Sequence, residues 1–334
     1  MPSTLIVGDI IPTNDLNPYS FTKGGVAKSG SHSGYRGMSG VAGVGTPAAS
    51  PISTIEYINI GVFSDAVDWG EAIDMTYGYG CASNGVRAVS MGGAITGGSE
   101  VRDDAWYKNY ASSGNSIDWG GEISQARNSG ENSVASDGNR GVMSGGAVPA
   151  SGSVDTMDYF VLGVPGSNAV DFGEIIQAMY HSCCSQDGSR GMIMFGRPNG
   201  GNVDTLQYFR IGSTSDAIDF GEAYQGVARA LAAVDDGSRA VNAGGRDRAE
   251  GLDGMDYVTI GTTSNSIDFG ELTEGRFSYH SGSNNGHRGL FYNGRADSPN
   301  TVSINSITIG TTCAAVDFGE VASTHTGEGG SSGL

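Results

Sequence analysis

The sequence predicts an all-β fold, a six-bladed β-propeller of four-stranded antiparallel blades, and three observations carry that expectation. The first is a sixfold repeat. An Arg followed by Gly or Ala recurs at Arg36, Arg87, Arg140, Arg190, Arg239 and Arg288, at spacings of 51, 53, 50, 49 and 49 residues. An Asp-(Phe/Trp)-Gly motif keeps step with it at Asp68, Asp118, Asp171, Asp219, Asp268 and Asp317. A regular period in this range marks a chain built of repeated supersecondary units. The second is that each unit holds four short strand candidates at roughly 12-residue spacing, the pattern of antiparallel all-β structure rather than βαβ. The third is the third strand of the third unit, MDYFVLG. It sets Met157, Tyr159 and Val161 on one side and Asp158, Phe160 and Leu162 on the other. A sheet apolar on both faces is covered on both faces, as packed blades are and as a single open sheet is not.

Taken in order, residues 1–28 form an N-terminal arm in which TLIVGDII reads as a short strand and PTNDLNPYSFTKGG as turn-rich irregular chain. Residues 29–323 are the six repeats, and residues 324–334 a C-terminal tail. In the best-formed unit a first strand is expected around Ile175 to Ser182. The Asp-Gly of QDGS then makes a hairpin turn, followed by strands RGMIMF, TLQYFRI and AIDFGE. Either terminal segment, FTKGGVAKSGSHS or VASTHTGEGGSSGL, can supply the edge strand that the first unit lacks. Gly, at 56 residues, far exceeds its usual share of about 7% without any collagen period, which suits many short strands joined by tight turns.

A net charge of −18, from 18 basic and 36 acidic residues, argues against nucleic acid or an anionic membrane as partner, since both require clustered positive charge. No apolar run approaches the roughly 20 residues of a membrane helix, and MPSTLIVGDI lacks the basic segment and apolar core of a secretory leader. Cys81, Cys183, Cys184 and Cys313 fall at positions of the repeat that do not meet, so all four are expected to be free thiols.

Symmetry weighs against catalysis. An active site is one asymmetric constellation, whereas a group present in every unit serves something every unit needs. The six Arg are therefore expected to form structural ion pairs with the six Asp, or with the Glu that follows, such as Glu174, Glu222 or Glu271, because a guanidinium fork suits a carboxylate. The histidines His32, His181, His280, His287 and His325 are scattered, no D-x-D-x-D-G calcium loop is present, and the many Gly-Gly strings lack a strand-to-helix context. No catalytic residue, cofactor or metal is expected. Beyond the repeat, Arg197, Arg246 and Arg295 occupy one position in units four to six, where units one to three carry Gly43, Ala94 and Ala147. They should form an arc on one face, either pairing locally with Asp247 or Asp297 or contacting an acidic partner.

The glycine doublets Gly92-Gly93, Gly145-Gly146 and Gly244-Gly245 are followed by Tyr107, Tyr159 and Tyr257, with Tyr57 and Tyr208 at the same place in other units. Each unit closes on Trp69, Trp119, Phe172, Phe220, Phe269 or Phe318; the first unit has Val41-Ala42 in place of the doublet and the last has Ser306 in place of Tyr. This pattern resembles the kelch-type propeller repeat. The longer phrase, Arg-(Ala/Gly)-Val, Gly-Gly, T-I-x-Y-x-x-I-G and S-x-x-(Ile/Val)-D-F-G-E, is similar over residues 30–323 to a repeat of virion structural and tail-fibre-like proteins of tailed bacteriophages, particularly marine ones. The resemblance implies a non-enzymatic protein made in the host cytoplasm and exposed on the virion, as a tail- or fibre-associated binding module or a head-decoration protein. Its implied partners are other virion proteins, reached through the arm, and a host surface glycan, with neither nucleic acid nor membrane insertion. The alternative is a carbohydrate-binding or carbohydrate-active propeller. Single-copy polar residues clustered at the ring's axis would favour that alternative.

Overall fold

The computed structural model describes residues 36–39, 44–45, 50–51, 53–73, 77–95, 100–128, 133–149, 151–199, 201, 203–224, 232–247, 250–276, 281–292, 294, 301–322 and 331–333, the backbone alone at 36–51, 246–250 and 331–333. The expected arm at residues 1–28 lies outside them. Among the described residues there is no helix, and the chain is a β-propeller of antiparallel sheets.

The fourth unit shows the plan. Cys183–Gln186 is the inner strand, followed outward by Arg190–Met194, Thr205–Arg210 and Ile218–Glu222. The second, third and sixth units repeat it with inner strands Gly80–Ser83, Val134–Ser136 and Ser281–Asn284. The expected first strand at Ile175 to Ser182 is corrected. That stretch is a crossover with a single bridge, Tyr180 to Arg197, and the inner strand begins at Cys183, where the Asp-Gly turn sets the register Gln186 opposite Gly191.

The expectation of six four-stranded blades is also corrected, since five sheets have four strands. In the fifth unit Ala232–Asp235, Arg239–Ala243, Glu250–Thr259 and Ile267–Arg276 are joined by Arg246–Asp247, giving a five-stranded sheet. The cause is a break in the second strand. In the third unit that strand runs unbroken through its doublet as Arg140–Val148 along an equally long third strand, whereas here it stops at Gly244-Gly245 and resumes as Arg246–Asp247 on the same partner.

The first unit takes its inner strand from the other end of the chain. Ser331–Gly333 pairs antiparallel with Arg36–Ser39, so of the two terminal segments that could complete the first sheet it is the C-terminal one that supplies the missing strand. Inner strands lie against one another in succession, from Gly80–Ser83 through Val134–Ser136, Cys183–Gln186, Ala232–Asp235 and Ser281–Asn284 to Ser331–Gly333, which returns to Gly80–Ser83.

The apolar core follows the same logic. It consists of clusters shared between consecutive units, because a single sheet of this size cannot cover its own faces. Met192, Met194, Phe195 and Phe220 of unit four pack on Ala233, Val258 and Ile260 of unit five. Ile58, Ile60 and Ala66 of unit one pack on Leu290, Tyr292, Ile304 and Phe318 of unit six. Each outer-strand aromatic is buried in such a cluster, which is why the Asp-aromatic-Gly motif keeps its ring in every unit.

Candidate functional site

The repeat arginines whose side chains are described do not form the expected ion pairs. Arg87, Arg140, Arg190 and Arg239 lie over the rings of Tyr107, Tyr159, Tyr208 and Tyr257 at 4.7 to 5.1 Å from the centroid. Arg140 and Arg190 also donate to a main-chain carbonyl of the next unit, Ile211 O at 3.3 Å and Ile260 O at 2.9 Å. No ion pair joins any of these arginines to Asp118, Asp171, Asp219 or Asp268 among the described residues, and the side chain of Arg36 lies outside them. Register explains the correction. In the second unit Arg87 is opposite Asn109 and Tyr107 opposite Ile117, so Arg, Tyr and Ile share a face. Asp118 is opposite Trp106, one residue out of phase and so on the other face.

The Asp-aromatic-Gly-Glu turn instead clasps the next unit. Its Gly carries a positive φ at Gly70, Gly173, Gly221, Gly270 and Gly319, and it lies where the following unit's loop carbonyl passes. A Cβ on Gly173 would stand 2.6 Å from Ser215 O, and one on Gly319 would stand 2.5 Å from Ser64 O. In the second unit, which reads Gly120-Gly121, the extra Gly121 takes this place. The Glu main chain completes the clasp. Glu71, Glu122, Glu174, Glu222, Glu271 and Glu320 O accept from Ser116, Ala169, Ala217, Ser266, Ala315 and Ala66 N–H, each in the next unit, at 2.8 to 2.9 Å. Five of the six Glu N–H groups donate to a side chain of the same loop, Asn115, Asn168, Asp216, Asn265 or Asp65. The Asp has a local role: Asp68 and Asp118 Oδ1 accept from Gly70 and Gly120 N–H at 2.9 Å and fix the bulge. These loop contacts also occupy the outermost strand edge, which would otherwise offer unpaired groups to another chain.

A second clasp was invisible in the repeat's letters. One third-strand position carries Glu56, Asp158, Gln207, Asp256 and Asn305, all buried. The residue two beyond each motif Glu, in the preceding unit, delivers its N–H there. Ser124 donates to Asp158 at 3.3 Å, Ile176 to Gln207 at 2.8 Å, Thr273 to Asn305 at 2.8 Å and Ala322 to Glu56 at 3.3 Å. Tyr224 N–H reaches Asp256 through the Ser266 hydroxyl. Unit two has Trp106 at this position, and Ser116 accepts from Ile73 N–H instead. Asp158 is further neutralised by the buried Arg127, at 2.7 Å. Among the described residues Glu56 has no such partner. Burial pushes its carboxyl up to about 7, aided by the charge of Asp68, and Ala322 N–H only partly offsets this.

At the axis the last inner-strand residues are unlike and buried: Ser83, Ser136, Gln186, Asp235 and Asn284. Inner strands are edges whose main-chain groups need partners. Side chains of the next unit provide them, with Ser136 N–H donating to Gln186 Oε1 at 3.2 Å and Gln186 N–H to Asp235 Oδ2 at 3.3 Å. Gln186 Nε2 adds a 2.6 Å bond to the same oxygen. Burial raises the Asp235 carboxyl well above the usual range. Single-copy polar residues therefore do converge at the axis, spending their bonds on one another's strands.

The join of units six and one has its own chemistry. Ser306 leaves Arg288 without a tyrosine, and the guanidinium lies instead between Phe63 of unit one, at 4.8 Å, and Phe318, at 5.6 Å, while donating to Ile60 O at 3.0 Å. Of the expected arc, Arg197 lies over Tyr180 at 5.8 Å, while the side chains of Arg246 and Arg295 lie outside the described residues. No disulfide joins Cys81, Cys183, Cys184 and Cys313. Among the described residues no group of three or more His, Cys, Asp or Glu is placed to hold a metal ion. No protein-family model matches the chain, and no curated protein matches it significantly.

Proposed function

We propose that this chain is a non-enzymatic structural protein of a tailed-bacteriophage virion, exposed on the particle as a tail- or fibre-associated binding module or a head-decoration protein, with the five-stranded sheet serving as the sixth blade of a closed ring. The observation that carries the reading is the use to which the repeat is put. The motif Gly and the Glu main chain are spent on holding the next unit, the described motif Arg on packing within the sheet and across to its neighbour, and the Asp, where its bond is seen, on its own bulge. A net charge of −18 adds solubility at high copy number. In this reading residues 1–28, with Leu5, Ile6, Val7, Ile10 and Ile11, dock on a neighbouring virion subunit, and Arg197, Arg246 and Arg295 face an acidic partner or an anionic host glycan. Mass spectrometry of purified virions followed by immunogold labelling tests it. The protein should remain with washed particles, and chain lacking residues 1–20 should fail to incorporate. Absence from particles overturns the reading.

One observation favours a second reading, a carbohydrate-binding or carbohydrate-active propeller: the unlike polar residues at the axis, Gln186 and Asp235 above all. Their burial weighs against it. A glycan array and a glycosidase panel that both responded would replace the first reading with the second.

A further inference from the structure

The joins between consecutive units use one plan, and the join of units six and one departs from it at a buried carboxyl. Every join is spanned by the continuous chain running from one outer strand to the next inner strand. At this one the inner strand, Ser331–Gly333, is held to the second strand, Arg36–Ser39, by pairing and not by a hairpin turn. At the equivalent third-strand position two of the other described acceptors are neutral amides and one is paired with a guanidinium. Gln207 and Asn305 are amides, Asp158 has Arg127 and the Ser124 hydroxyl, and Asp256 has the Ser266 hydroxyl. Among the described residues Glu56 accepts only from Ala322 N–H, at 3.3 Å, and its Oε1 is buried with no hydrogen-bond partner.

We propose that the join of units six and one is a pH-operated latch, closed while Glu56 holds a proton and loosened when that carboxyl ionises. An uncharged carboxyl tolerates the apolar environment, whereas a carboxylate with one weak donor and one bare oxygen does not. Among the described residues the groups around it offer no compensation. The outer-strand residue across from it is Asp68, of the same charge. The sixth-unit face packed on this side presents Leu290, Tyr292, Ile304, Phe318 and Val321. Of these only Tyr292 titrates; its phenol is hydrogen-bonded to Ser283 and held by burial in the neutral form. Arg288 is committed to the two phenylalanines and Ile60 O. Because folding raises the Glu56 pKa, the latch is fully closed below the carboxyl's ordinary value of 4.5 and weakens as pH rises through about 7, reaching a plateau above. A displacement of that size changes the opening equilibrium by on the order of 10²-fold between pH 5 and pH 8.

Hydrogen exchange of the full chain, read by mass spectrometry and corrected for the intrinsic pH dependence of exchange, tests this. Peptides covering residues 54–60 and 302–322 should lose protection by tens-fold or more from pH 5 to pH 8, while peptides of the second-to-third join, residues 117–128 and 153–161, should not. Glu56→Gln keeps the acceptor oxygen, copies the amide chemistry of Gln207 and should abolish the pH-dependent loss. Parallel behaviour of the two joins in the wild-type chain overturns the proposal even if the variant fails to fold, as does a Glu56→Gln protein that opens with rising pH as before.

Discussion

Replacing Gly173 by Ala puts the clasp to a quantitative test. Gly173 has φ +141°, and an added Cβ would meet Ser215 O at 2.6 Å, Ser215 C at 2.7 Å and Asp216 N at 3.0 Å, all main chain and unable to swing aside. Relief requires unit four's loop to withdraw. That lengthens two bonds between units, Ala217 N–H to Glu174 O at 2.8 Å and Glu174 N–H to Asp216 Oδ1 at 3.1 Å. Each such bond contributes about 1 kcal/mol, and the positive φ adds about 1–2 kcal/mol for a residue with a Cβ, so the variant should lose about 3–4 kcal/mol. Two other glycines divide the terms. Gly188 has φ +82° with nothing within 4 Å, so Gly188→Ala should lose only the conformational share, about 1–2 kcal/mol. Gly163 has open space and no positive φ, so Gly163→Ala should be neutral or gain up to about 1 kcal/mol. Urea titrations followed by far-ultraviolet circular dichroism give the three midpoints. A Gly173→Ala midpoint no lower than that of Gly188→Ala would refute the clasp.

Two further outcomes follow from the joins. Phe63 is 55% exposed, a level at which truncation is usually harmless, yet Phe63→Ala should cost about 1–2 kcal/mol because Arg288 loses its partner ring across the closing join; a double-mutant cycle with Arg288→Ala showing no coupling would refute that. Asp158→Ala strands the buried Arg127 and should cost about 3–5 kcal/mol, whereas Arg127→Met with Asp158→Gln, which copies the Met179 and Gln207 of the next join, should restore most of the loss in the same urea titration.

The period, the antiparallel four-strand plan and the apolar two-faced third strand were all legible in the sequence, because burial on both faces leaves apolar side chains at Met157 and Tyr159 on one side and Phe160 and Leu162 on the other. The partners of the repeated charges were not. Arg and Asp recur in step, but a one-residue difference in register puts them on opposite faces, and the informative letter of the motif was its Gly, which leaves room for a neighbour's carbonyl. The second clasp has no repeated letter, because Glu56, Asp158, Gln207, Asp256 and Asn305 do one job with different side chains. Aligning the units on their Tyr and asking what stands before it exposes the column, a polar residue between two apolar ones on a strand otherwise buried. The inner strand at Cys183 was misplaced because IIQAMYHS is more apolar than CCSQ, although only the latter abuts the Asp-Gly turn. The closing strand Ser331–Gly333 has no sequence signature at all, since three small residues are specified by the edge they complete rather than by their own propensity.

Whether neighbouring units hold one another in a ring closed by the C-terminus is tested most directly by ending the chain after Ala322 and measuring its thermal unfolding. The truncated protein loses the strand paired with Arg36–Ser39 and leaves that inner edge bare. It should melt at least several degrees below the full chain, with hydrogen-exchange protection lost first in residues 54–60. An unchanged melting temperature and unchanged protection there would contradict closure by the C-terminal strand.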